Sequence, residues 1–132
     1  MKLITRDTDY AIRALCFIAK QKENIVSVND LTKELKIPRP FLRKILQILN
    51  KKKILKSSRG FGGGFSLLKD PCKIFIVDLI KIFQGPLRLN ECTFKKRLCP
   101  NKNKCLLKEK IDLIEKHVIS ELDKITLKIL LN

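Results

Sequence analysis

A mostly α-helical fold is predicted, a winged helix-turn-helix with a small β-hairpin wing and a long C-terminal dimerisation helix. Three features of the sequence predict it. Two short amphipathic stretches meet at a proline-containing break between Leu35 and Pro40. A glycine-rich turn, SSRGFGGG, follows them and separates two short apolar runs. From Leu106 onward, neither glycine nor proline interrupts an apolar repeat in steps of three and four, the period of a helix with one buried face.

Ala11, Ala14, Leu15 and Ile18 recur at i, i+3, i+4 and i+7 and give the first helix its apolar face. Thr8 or Asp9 is expected to cap it, with Arg13 and Lys20 toward solvent. Cys16 lies beside the stripe and is read as core, because free cysteine packs as a small apolar residue. Ser27-Val28-Asn29-Asp30 has the form of a capping box, a serine with a carboxylate three residues on. It opens a second helix that turns Val28, Leu31 and Leu35 inward. Pro38 ends that helix, since the residue before proline is pushed out of the α region.

Pro40 is tolerated in the first turn of a third helix, which runs to about Lys51. Leu42, Ile45, Leu46 and Leu49 form its buried stripe. Arg39, Arg43, Lys44, Gln47, Asn50 and Lys51 lie off it. Arginine pairs bidentately with guanine and glutamine with adenine in a major groove. Such a polar face is ordinarily just solvated. Here its charge sets it apart, because no acidic residue occurs between Glu34 and Asp70, while ten cations do.

Ile54-Leu55-Lys56 and Phe65-Ser66-Leu67 flank the glycine-rich turn and predict a hairpin. After a recognition helix, a hairpin is a wing. Ser58, Arg59 and Phe61 lie at its tip, and arginine suits a narrow A·T-rich minor groove. Gly62-Gly63-Gly64 is not a phosphate loop, since no lysine-serine or lysine-threonine pair follows. Asp70-Pro71 punctuates the chain, with Cys72 unassigned beside it. Ile76, Leu79, Ile80 and Phe83 form a fourth helix stopped by Gly85-Pro86. Ile111, Ile114, Val118, Leu122, Ile125 and Ile129 predict one long helical stripe, suited to packing against a second copy. His117 on that helix is read as structural.

At 132 residues and 45% hydrophobic, the chain predicts one small domain with an appended helix, helped by oligomerisation. The charged N-terminus is neither a signal peptide nor a membrane anchor, so a cytoplasmic protein is expected. Five cysteines in a reducing compartment argue for metal or redox chemistry over a disulfide framework. A net charge of +16 and a pI near 9.9 point to a polyanion, most simply nucleic acid. No residue is read as catalytic.

The stretch ECTFKKRLCPNKNKCLLK places Cys92, Cys99 and Cys105 in one polar loop with six cations and no carboxylate between Cys92 and Lys108. Neighbouring cations favour the thiolate, the form that binds metal or reacts. The C-x6-C-x5-C spacing is neither a paired structural zinc pattern nor a bacterial ferredoxin run. Three soft ligands in one loop suit an iron–sulfur cluster with a fourth ligand from elsewhere. The alternatives are thiols without a metal, or one disulfide with a spare.

In this order, TDYAIRAL, IPRPFLRKILQILNKKKILKSSRGFGGGFSL, IVDLIKIFQGP and ITLKILL resemble the Rrf2 family, the winged-helix iron–sulfur regulators that include IscR and NsrR. The wing motif SSRGFGGGFSL carries the resemblance most strongly. Membership implies a DNA-binding homodimer whose cysteine loop holds a cluster at the subunit interface. The IscR-like branch has a histidine three positions after the third cysteine, where this chain has Lys108. The NsrR-like branch takes an aspartate from the first helix of the other subunit, and the matching position is Asp9.

The resulting expectation is a transcription regulator, a repressor, binding a palindromic double-stranded operator as a homodimer and no membrane. Residues 1–86 would form the DNA-binding domain, 87–108 the cysteine loop and 109–132 the dimerisation segment. Arg39, Arg43, Lys44, Gln47, Lys51, Ser58, Arg59 and Phe61 would face DNA. Cys92, Cys99 and Cys105, with Asp9 from the partner, would hold a [2Fe-2S] or [4Fe-4S] cluster sensing iron–sulfur status, redox state or nitric oxide. The competing readings are a cluster-free thiol sensor and an iron–sulfur electron carrier, the latter having no use for a wing.

Overall fold

A computed structural model describes residues 2–21, 25–60, 62–89 and 105–131. Phe61, Cys92 and Cys99 lie outside the described residues. The element order is α1 (Arg6–Lys20), α2 (Val28–Leu35), α3 (Arg39–Lys51), β1 (Leu55–Ser58), β2 (Gly64–Leu67), a 3-10 turn (Pro71–Lys73), α4 (Ile76–Gln84), α5 (Leu106–Leu122) and α6 (Leu127–Leu130). The winged helix-turn-helix is present as predicted.

Helix α1 begins earlier than the sequence predicts. Thr5 takes the cap position and its carbonyl accepts the Asp9 N–H at 2.9 Å, so neither Thr8 nor Asp9 caps. Thr8 faces inward and is fully buried, which removes it from capping. Ala11, Ala14, Leu15 and Ile18 form the buried stripe. Cys16 is half-buried and packs against the core, and burial pushes its thiol pKa up against a smaller opposite pull from Lys20.

The Ser27 hydroxyl accepts the Asp30 N–H at 3.1 Å, as the capping pattern predicts. Lys36 ends α2 in the left-handed conformation, with φ 56° and its N–H on the Thr32 carbonyl. Ile37 then inserts into the core and Pro38 starts the next helix. This break sets α3 across α2. Leu42, Ile45, Leu46 and Leu49 seal its inner face at 2% exposure or less.

Strands β1 and β2 pair antiparallel from Leu55↔Leu67 to Ser58↔Gly64. Val26 adds an antiparallel bridge to Phe65, with both N–H···O bonds at 2.8 Å. The wing root is thereby tied to the segment entering α2, a connection that alternation within the wing does not reveal.

Helix α4 stops at Gly85, whose φ of 83° suits glycine and whose N–H returns to the Lys81 carbonyl. The predicted continuous stripe from Ile111 to Ile129 breaks after Leu122. Lys124 and Ile125 tighten the end with N–H bonds to Glu121 and Leu122. Thr126 then runs extended and bridges Phe75, and Leu127 is fully buried. A β-branched threonine with an open partner at Phe75, followed by a leucine that fills the core, outcompetes another helical turn.

Gly64 lies where β2 passes Val26. A Cβ there would meet the Val26 carbonyl oxygen, its carbon at 2.7 Å and the Ser27 Cα at 3.0 Å. Gly64→Ala is therefore expected to cost about 1–3 kcal/mol, the range for forced overpacking, read as a lower urea midpoint. At Gly62, φ is 79° and nothing lies within 4 Å, so Gly62→Asn should cost clearly less. Equal midpoints for the two variants would mean that β2 does not sit tightly on Val26.

Candidate nucleic-acid interface and cysteine site

With its apolar stripe sealed, α3 can offer only its opposite face. Arg39, Arg43, Lys44, Gln47 and Lys51 are all exposed there. Arg39, Arg43, Gln47 and Lys51 follow one another at steps of four, a line about 18 Å long at 1.5 Å per residue. A major groove about 12 Å wide admits such a helix. The first turn of α3 carries no acidic residue, and Pro38 at its cap makes no side-chain cap bond.

Lys52, Lys53 and Ile54 connect α3 directly to the wing. Lys53 takes φ 62°, and the Ile54 N–H bonds the Leu49 carbonyl, folding β1 back from the helix end. At the wing tip, Gly60 and Gly62 have φ 92° and 79°, and the Gly63 N–H closes onto the Gly60 carbonyl at 3.0 Å. Arg59 is exposed and Ser58 half-buried. Phe61 lies outside the described residues.

The electrostatics distinguish this surface. All ten cations from Lys36 to Lys69 are exposed, and among the described residues none pairs with a carboxylate. The ion pairs are elsewhere, Arg6–Asp7 at 3.7 Å, Arg13–Asp9 at 2.9 Å, Lys108–Asp112 at 3.0 Å and Lys124–Glu121 at 3.1 Å. A field left uncompensated inside the protein attracts a polyanion. Lys52, Lys53 and Lys56 belong to it, exposed between α3 and the wing as part of the acid-free run of cations.

Two of the expected ligands are described. Cys105 caps α5, and its Sγ accepts the Lys108 N–H at 3.4 Å. The thiol thereby satisfies one of the N–H groups left unpaired in the first turn of α5. Asp9 lies half-buried in the first turn of α1, where Oδ2 accepts from Arg13 Nε. Among the described residues, no three His, Cys, Asp or Glu side chains converge as a metal site. The outer part of α5 exposes Leu106, Leu107, Leu113 and Ile114 by 55–72%, whereas Val118 packs on the core and Leu122 is buried. No helix among the described residues is long and apolar enough to cross a membrane.

Two contacts around the start of α1 have no signal in the sequence, and one of them reaches α3. The Arg6 guanidinium lies 4.4 Å from the ring centroid of Phe41, an aromatic exposed on α3. Thr8 and Thr5 converge with Gln84 at the end of α4.

The family model described as Rrf2, iron-dependent transcriptional regulator, matches residues 4–132. The chain is 33% identical to the HTH-type transcriptional regulator NsrR of Bacillus licheniformis over 122 residues, covering 92% of this chain and 80% of that one. It is 31% identical to NsrR of Bacillus subtilis, covering 97% and 88%. Its fold is similar to that of CymR, the global cysteine regulator of B. subtilis, with a TM-score of 0.82 at 23% identity over 99% and 97% of the two chains. With an uncompensated basic helix and wing and with these relatives, the chain belongs to the Rrf2 family of DNA-binding transcription regulators and is not an enzyme.

Proposed function

We propose that this protein is a repressor that binds a palindromic operator as a homodimer and adjusts its affinity through its cysteine segment. The observation that carries the DNA contact is the row of exposed, unpaired cations along α3 and the wing. Arg43 and Gln47 read base edges in the major groove, and Arg39, Lys44 and Lys51 hold phosphates. Arg59, with Ser58 and Phe61 around it, takes the wing into the minor groove.

On the sensing side, three cysteines among cations are the donor set an iron–sulfur cluster needs, and Cys105 at the cap of α5 fits it. Cys92, Cys99 and Cys105, with Asp9 of the partner subunit, would hold the cluster. Such a group supplies chemistry that answers to iron, oxidation or a diatomic ligand. For the protein, regulation requires only that its two states differ in DNA affinity, since a ligand favouring both equally shifts nothing. In the cluster-free reading, the same cysteines act as thiols by disulfide exchange. The division into a DNA-binding unit (1–86), a cysteine segment (87–108) and a dimerisation segment (109–132) follows from these roles.

DNA affinity is expected to fall steeply with salt, as lysine and arginine release counterions from phosphates. Arg43→Ala and Gln47→Ala should relax base preference by about 1–3 kcal/mol each, whereas Lys44→Ala should weaken all sequences alike. Binding titrations on selected and random duplexes at several salt concentrations separate the two classes. Equal losses on both duplexes for Arg43→Ala would remove it from base readout.

The exposure of Leu107 and Ile114, one stripe at i and i+7 on α5, supports a dimer contact there. Replacing both by glutamate should give folded monomers in sedimentation that bind the operator far more weakly, because two half-sites are no longer engaged together. Val118 is unsuitable for this test, since it supports the core. An unchanged dimer places the interface elsewhere.

Anaerobically purified protein is expected to show visible absorption with matching iron and sulfide content. Colourless protein with three titratable loop thiols supports the thiol reading instead. Asp9 does not cap α1, so Asp9→Asn leaves the helix start intact and tests its ligand role. The variant should shift the cluster spectrum or shorten the cluster lifetime, and a spectrum like that of the parent protein removes Asp9 from the site.

A further inference from the structure

Three hydrogen bonds spanning 76 to 81 residues of sequence converge on one side-chain amide, that of Gln84. Its Oε1 accepts the Thr5 backbone N–H at 3.0 Å and the Thr8 hydroxyl at 2.7 Å. Its Nε2 donates to the Leu3 carbonyl at 3.2 Å. The amide orientation follows from the partners, because a flipped group would set NH2 against two donors and an oxygen against a carbonyl. Thr8 spends its single hydroxyl proton on Gln84, so in the 3.2 Å contact between the two threonines Thr5 donates. Thr8 is fully buried and every polar atom of the set is used. Such a satisfied network holds one geometry firmly.

Its position gives it meaning. Gln84 is the last residue of α4, and Cys92 follows it by eight residues. Its partners Leu3, Thr5 and Thr8 flank Arg6, whose guanidinium rests on Phe41 in the first turn of α3. Asp9, on the next position of α1, is the carboxylate assigned above to the sensing site.

The geometry points to Gln84 as a positioning residue that joins the start of the cysteine segment to the recognition helix, through residues 3–8 and the Arg6–Phe41 contact. This inference rests on the sensing role proposed above for its regulatory half, and on the hydrogen bonds for its mechanical half. When the segment after Gly85 shifts, the amide transmits the shift to the first turn of α3, where groove-facing Arg39 and Arg43 originate. The path runs entirely through described residues.

The test uses the full chain and a duplex selected by the parent protein from a random pool. Gln84→Met keeps the side-chain length and removes all three bonds, whereas Gln84→Glu keeps both accepted bonds and loses the donated one. Amide hydrogen exchange at Leu42, whose N–H bonds the Pro38 carbonyl, and at the following residues of α3 up to Ile45 should accelerate about tenfold in Gln84→Met, the factor that follows from one net hydrogen bond, and less in Gln84→Glu. Arg6→Ala should produce the same local acceleration. Affinity for the selected duplex should fall, with affinity for random DNA held within about a factor of three, since the phosphate contacts of Lys44 and Lys51, beyond the first turn, stay in place. Acceleration confined to residues 3–8 and 84 would overturn the inference, as would uniform acceleration through α1, α2 and α4, which marks a general stabilising role. The regulatory half is read separately, by comparing iron-reconstituted with iron-free protein. A state-dependent affinity in the parent protein that shrinks in Gln84→Met supports it, and one that persists unchanged overturns it. Equal affinity in both states of the parent protein overturns the sensing role itself and the regulatory half with it, leaving the exchange result to decide the mechanical half.

Discussion

Burial of Leu42, Ile45, Leu46 and Leu49 is the interaction on which the remaining structure depends. Each is at most 2% exposed, and a fully buried leucine or isoleucine contributes about 1.5–3 kcal/mol by area, an upper estimate. That contribution has an opponent. Ten exposed like charges between Lys36 and Lys69 repel one another without internal compensation, and net charge far from zero strains a compact state. The stripe therefore anchors a helix whose outer face is electrostatically unfavourable until a polyanion arrives. Ala11 and Ala14 help from the other side, because their short side chains let α1 lie close to its neighbours.

The hairpin shares this anchoring instead of hanging free from the helix end. Ile54 and Leu55 are buried beneath it, and the paired bonds between Val26 and Phe65 tie its return strand to the entry of α2. Recognition helix and wing are thus braced at both ends of the hairpin. A reading unit of this kind keeps the spacing between Arg43 and Arg59 set by the fold.

Much of this was legible in the sequence, because helix periodicity, the Ser27–Asp30 cap and the Gly85 stop are local patterns with local causes. The inward stripes of α1 and α3 fell where the spacing put them. The start of α1 was misplaced because Thr8 looks like a cap residue in isolation, and only the distant Gln84 shows why it turns inward. The end of α5 was extended too far for a similar reason. Ile125 and Ile129 keep the helical step, but Phe75, fifty residues earlier, offers Thr126 a partner that periodicity cannot register. Phe41 read as one more apolar residue beside a stripe, and its exposed ring under Arg6 became evident only in three dimensions. Of the candidate site, the basic face was legible from the absence of acids, while the left-handed turn at Lys53 that folds the wing back from α3 depended on a conformation periodicity does not register.

The return of the chain to Phe75 has a bearing on synthesis. Leu127 is completely buried, its N–H bonds the Ile74 carbonyl, and the Ile76 N–H bonds the Ile125 carbonyl. The core between α1 and α4 is therefore left open until residues some fifty positions downstream have been made. A nascent chain emerging from the ribosome would carry its helix-turn-helix and wing well before it could finish packing them, exposing apolar surface of the kind chaperones recognise. The core is closed by residues that lie beyond all five cysteines, so packing is completed only once every thiol of the sequence has been made.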